Sequence, residues 1–527
     1  MPTPDQIWED ADLSTRRLAG LALNPSATAD VLLRLLAEAL LAARMVLCRD
    51  RDLPGSVLDA VIEHPDRCIR GFFARNPHVD PAQRARLVDD PDWFVRAHLA
   101  EGPRTTEPDR PGPLPDATVI RMLVTYEAEH LWSLYRQMSA GLVRSLPSHP
   151  VAEARLQGVF GWTTLSDAER AALLADPDER VREAAQRYAR DKDPAWVESA
   201  LPDHPCHART HLLLHSALSR AAVDSVLTAP AGADDRAMIA FNPTLPPDAV
   251  VLLAADPDPK VREEIARRRA DLPPAERQAL VADPHPEVRR TIAHHPDLDA
   301  DERRTLATDT DPRVRLAVSV HPAFSEEERA RIDYLVPMDQ RSFGACSQGT
   351  PRDPEAVRRD ALSGHPVLRR RAAQEHTLPP DLVALLAEDD DLGVRVLLAQ
   401  NHPDAPAALL LRSFLEYTGP ERARLTTRPN FPRAGLAECA EHADPQVRAL
   451  AARDPHIPPA TVERLTSDPD PEVRSAFTRH PNLPRARLAE LLADDQLAHP
   501  AAANPTLPPA TMDRLLATQG REFLTPG

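Results

Sequence analysis

"SDPDPEVRSAFTRHPNLP", residues 467–484, sets Val473, Ala476 and Phe477 at helical spacing between prolines at 469, 471, 481 and 484. Asp470 is a good N-cap, and Pro471 falls at the first helical position, where its missing N–H costs nothing. A helix therefore starts at Pro471. It must stop before Pro481, because a proline removes a donor and biases the preceding residue away from helical geometry. "NLPRARLAELLADD" then restarts a helix, with Leu488, Leu491 and Leu492 on a second apolar stripe. The segment predicts two short helices joined by a proline-fixed turn.

The same phrase recurs along the chain. Val-Arg or its equivalent stands at Val95, Val181, Val261, Val288, Val314, Val394, Val447 and Val473, with Ile69 in the same role and neighbouring anchors 26 or 27 residues apart in the regular stretches. Ala154, Ala208, Asp235, Val367, Glu421 and Leu497 are expected to hold the valine slot in degenerate copies. Helices this short are marginal alone in water, so each must bury its stripe against the next copy. The predicted fold is all-α: an α-solenoid or superhelix of about eighteen tandem two-helix repeats.

The repeat divides the chain into an N-terminal cap with repeats (1–103), an irregular insertion or junction (104–153), central repeats (154–332), a degenerate repeat with a loop (333–366), and C-terminal repeats with a cap (367–527). In the junction, "RTTEPDRPGPLP" reads as a flexible insertion. "TVIRMLVTYEAEHLWSLYRQMSAGLV" reads as a helix longer than the repeat makes. Aromatic residues form only 4% of the chain, so Tyr126, Trp132, Tyr135 and Trp162, gathered here with Phe160, are candidate partner-binding residues. A core filling a junction where the repeat register breaks is the preferred reading of them.

Composition restricts function. A formal charge of −17 opposes general binding to nucleic acid or anionic membranes, which requires a basic footprint. The five cysteines are dispersed and odd in number, which predicts neither a disulfide framework nor a CxxC pair and points to a reducing cytoplasm. No basic-then-apolar leader is read at the start, and "VLLRLLAEALLAARMVL" is interrupted by Arg34, Glu38 and Arg44, so a membrane span is not expected.

Four features could carry chemistry. The recurrent arginine (Arg96, Arg182, Arg262, Arg289, Arg315, Arg395, Arg448, Arg474) could bind an acidic partner. Aspartates recurring three and five positions before the valine make a structural staple the preferred reading. His207, His211 and His215, with Cys206, offer nitrogen and sulfur donors suited to zinc. Repeat phase explains His215 and His211 without a metal, so none is assigned. Cys346, in "SFGACSQGT" (342–350), has no identifiable base, and Cys439 occupies a core slot. No P-loop, HExxH or dinucleotide-binding glycine motif is present, so neither cofactor nor catalytic residue is expected.

Through "NPTLPPDAVVLLAADPDPKVREEIA" (242–266) and "NPTLPPATMDRLLA" (504–517), the chain resembles the leucine-rich repeat variant family. The "DPxVR" half also resembles HEAT-like repeats. The resemblance implies a right-handed superhelix of paired short helices, one of 3₁₀ character, acting as a binding scaffold. The cysteine-rich iron–sulfur segment found in some such proteins has no counterpart here, since Cys48 is alone in the first fifty residues. The expected role is a non-enzymatic scaffold for a protein partner. The alternatives are a HEAT-like nucleic-acid-binding enzyme of the DNA-alkylation-repair kind and a metal-binding repeat protein.

Overall fold

Asp470 caps helix Pro471–Thr478 through its Oδ1, which accepts from the Glu472 and Val473 amides at 2.9 and 3.2 Å. Helix Arg485–Leu491 follows, and Val473, Phe477, Leu488 and Leu491 are all buried. The computed structural model describes residues 11–37, 41–103, 112–127, 131, 133–229, 232–268, 270–337 and 352–518. The described residues form short helices and turns, without a strand, and the two-helix unit read from the sequence recurs in tandem. Successive first helices pack on one another, as Pro259–Arg268 does on Pro286–Ile292 and that on Pro312–Ser319. Several second helices tighten into 3₁₀ turns, as at Ala437–Glu441.

Two structural units emerge, one formed by 1–185 together with 433–527 and the other by 186–432. In the first, the first and last described helix pairs stack on each other. Helix Leu13–Leu23 packs against Ala498–Ala502, and Ala29–Ala37 against Pro509–Ala517, first helix on first and second on second. Arg17 Nε donates to the Leu492 carbonyl at 2.7 Å, and Arg34 pairs with Asp513 at 2.7 Å. Asn24 Nδ2 donates to the Ala502 and Asn504 carbonyls at 2.8 and 2.7 Å. Gly20 permits this approach, because a Cβ there would lie 2.1 Å from the His499 carbonyl oxygen. Leu18, Leu32, Val473 and Leu515 share one core. The terminal repeats, expected as caps, thus cover each other.

The long helix expected across 118–143 is shorter. Helix Asp116–Thr125 ends where Tyr126 turns extended and buries its ring, its hydroxyl donating to the Val88 carbonyl at 2.8 Å. A 3₁₀ turn at Leu134–Gln137 and helix Ala140–Ser145 follow. Tertiary anchoring of Tyr126 overrides a sequence that would otherwise continue.

In the second unit, the repeats from 197 to 318 share a continuous core that includes Val197, Val223, Ile239, Val261, Val288 and Val314. In the copy that opens at Pro366, the valine and arginine slots belong to Leu368 and Arg369 rather than to Val367 and Leu368. Leu368 is buried, and Arg369 makes the pairing described below.

Candidate functional site

The recurrent arginine joins one unit to the next. Arg262 Nε and Nη2 meet both oxygens of Asp283 at 2.6 and 3.0 Å, while Nη1 donates to the Asp256 and Pro257 carbonyls at 2.7 and 3.2 Å. The planar fork suits this bidentate arrangement. The same geometry joins Arg70 to Asp90, Arg155 to Asp176, Arg289 to Asp309, Arg369 to Asp389 and Arg448 to Asp468. Each acceptor is the aspartate five positions before the next unit's valine or its equivalent. It also holds its own turn, as Asp283 Oδ1 does by accepting from the His285 amide at 2.8 Å. The aspartate three positions before the valine caps the helix instead, as Asp311 and Asp444 do.

These pairs are largely withdrawn from water, with Asp side chains only 3–7% exposed and Arg 11–19% across the six pairs. Arg155 and Arg448 hold the Asp176 and Asp468 carboxyls below the usual range, chiefly through these hydrogen bonds. Charge-assisted bonds in such surroundings exceed the small worth of an exposed ion pair.

A second ladder runs through the residue seven positions after the valine, which the sequence reading treated only as a boundary. Asn504 Nδ2 donates to the Thr478 and His480 carbonyls at 2.8 and 2.9 Å, and Asn242 to Leu213 and Ser216 at 2.9 and 2.8 Å. His321 and His480 place Nε2 3.0 and 3.1 Å from the carbonyls of His295 and Asp454. Each rung satisfies backbone acceptors of the preceding unit. Recurrence of Asn or His before proline was the available signal.

The candidate partner residues separate. Tyr126 and Trp162 are buried at 8% and 5% exposure, whereas Tyr135 is 64% exposed and Phe160 66%. Trp132 and Cys346 lie outside the described residues. Val124 and Val143 in the same stretch, and Trp93 in the helix before it, are further exposed apolar side chains.

His207–His215 is a helix whose three histidines are exposed, with Cys206 at its N-cap. His211 Nε2 lies 3.4 Å from Asp191, and the His211 and His215 rings are 5.3 Å apart. Among the described residues, no three His, Cys, Asp or Glu side chains gather as a metal site. Cys48 is buried, and that burial pushes its thiol well above the ordinary value. A thiol held protonated by burial is not an activated nucleophile. No described helix is long and apolar enough to cross a membrane.

No curated protein matches the chain. Among solved structures, a crystal structure described as an engineered protein is 12% identical over 98% of this chain and 98% of that one, with a TM-score of 0.11. A family model described as leucine rich repeat variant matches residues 445–470, one unit of the repeat, which carries the Val447–Arg448 pair and helix Pro459–Leu465.

Proposed function

We propose that this chain is a non-enzymatic scaffold that holds a protein partner on the exposed positions of its repeats. The observation carrying this reading is the use made of the recurrent polar residues. The arginines, aspartates, asparagines and histidines that might have supplied chemistry bond across unit joints instead. A solenoid of stacked repeats presents an extended surface suited to holding a partner. The match of one unit to a helical-repeat family model supports the same reading.

Within that surface, the exposed aromatics Tyr135 and Phe160 are the proposed contacts, since aromatic anchors carry much of the energy of protein interfaces. Affinity capture with the full chain is the test. A partner retained by the native protein is expected to be lost from a Tyr135→Ala/Phe160→Ala variant whose melting temperature is unchanged. Equal capture by both proteins would remove the segment from the interface, and absence of any specific partner would remove the scaffold role.

A further inference from the structure

The unit beginning at Val261 is one of several that lack an Asn or His rung, as Gly102, Tyr188, Glu375 and Asp454 show in the units of Val95, Val181, Leu368 and Val447, and it alone places an arginine there among these. Counting seven positions from the valine gives Asn242, His295, His321, His480 and Asn504 in other copies, but here it gives Arg268, within "ARRRADLPP". No fence proline follows, and the turn to Leu272 is one residue longer than that from Val473 to Leu483. Arg268 is exposed, its guanidinium carbon 4.3 Å from the centre of the Phe241 ring of the preceding unit. A stacked arginine keeps its edge donors free for another group. Among the described residues, no carboxylate pairs with it.

A cavity of about 440 Å³ opens beside this position, lined by Ala266, Arg267, Arg268, Arg290, Thr291 and His294 among others. No described carboxylate lines it. Arg290 shares Glu287 with Arg313, at 2.7 and 2.6 Å, and Arg267 pairs with Glu263 and Glu264 on its own helix. The His294 imidazole is held below its ordinary value, first by the protein packed against it and then by the positive charges of Arg290, His321 and Arg371. Three guanidiniums line the cavity, two of them shared with Glu263, Glu264 and Glu287 behind the wall, in a chain whose formal charge is −17; guanidiniums gathered in a concave site attract an anion.

We propose that this cavity is a receptor for a phosphoryl group, held by Arg268 and Arg290 with Arg267 at its rim. Guanidinium forks match phosphate oxygens, and the volume falls within the range of small-ligand sites, leaving room for the group that carries the phosphate. The site stands independently of any protein-holding role elsewhere on the surface.

Equilibrium dialysis of the full chain tests it, with radiolabelled inorganic phosphate in one arm and a phosphoserine peptide in the other. Saturable binding of one equivalent is expected. Affinity should fall about tenfold in Arg268→Ala and again in Arg290→Ala, the loss of one charge-assisted bond each. Arg304→Ala is the control, since Arg304 is exposed and outside the cavity. Tighter binding of the peptide would identify the source as a phosphorylated protein; equal or tighter binding of phosphate would identify a free phosphate ester. Arg268→Lys, which keeps charge but loses the planar stack, should fall between the native protein and Arg268→Ala. Absence of saturable binding in both arms, or affinity unchanged by both alanine substitutions in variants with native melting curves, overturns the proposal.

Discussion

Arg84 and Arg277 occupy the same position of the repeat and are both buried, yet their surroundings differ. Arg277 Nε meets both oxygens of Glu302 in the next unit, at 3.1 and 2.9 Å. Arg84 has no exposure, and among the described residues none of its three guanidinium nitrogens meets an acceptor. Burial pushes its pKa down to about 10. In helix Asp116–Thr125, which lies beyond Trp93–Glu101, the acid of the first turn, Asp116, accepts from Ser139 instead. An unpaired buried cation costs stability, while a paired one is costly to break. Arg84→Met should therefore raise stability by about 2 kcal/mol, whereas Arg277→Met should lower it by about 3 kcal/mol by stranding Glu302. Urea titrations of the two variants decide this, and destabilisation by Arg84→Met would contradict the orphaned state.

At the scale of the element, each helix hairpin is secured by what it lends to the next, so a joint should fail locally when one partner is removed. Asp283→Ala leaves the Arg262 fork unpaired at 13% exposure and releases the His285 amide. The expected cost is about 2–4 kcal/mol. Asp301→Ala breaks a pair whose side chains are 69% and 86% exposed and should cost less than about 0.5 kcal/mol. Hydrogen exchange should quicken in helices Pro259–Arg268 and Pro286–Ile292 for the first variant alone. Uniform quickening over both structural units would show that the joint is not local. The helices and their apolar faces were legible because proline and i, i+3, i+4 spacing act within one unit. The Arg–Asp pairing was anticipated, and its bidentate geometry needed the stack. The Asn–His rungs were missed because their acceptors are backbone carbonyls about one repeat away, which leave no trace in side-chain pattern. Tyr126 and Trp162 were ambiguous for a related reason: an aromatic ring reads alike whether it fills a junction or faces a partner.

Across the whole molecule, the least legible feature is the meeting of the first and last described helix pairs. Nothing in the phrase near Asn24 distinguishes a rung onto the preceding unit in sequence from a rung onto one about 480 residues away. The same kind of side-chain donor recurs at many joints, as Asn242 and Asn504 show, so an exposed first unit is chemically suited to an exposed last unit. The consequence is that the structural unit comprising 433–527 and 1–185 is continuous in space in an order the chain does not follow. A polypeptide running from 433 to 527, through a short Gly/Ser linker, into 1–185 should therefore fold alone. It should melt in one cooperative transition, because the core containing Leu18, Leu32, Val473 and Leu515 is retained whole. Residues 1–185 expressed without 433–527 should instead expose Leu18 and Leu32, bind a hydrophobic dye and melt at lower temperature. Asn24→Ala in the permuted chain should cost about 1–3 kcal/mol by removing the donor to the Ala502 carbonyl and the acceptor of the Ser26 amide. If the permuted chain were unfolded while 1–185 alone melted cooperatively, the stacking of first repeat on last would not be what holds this unit together.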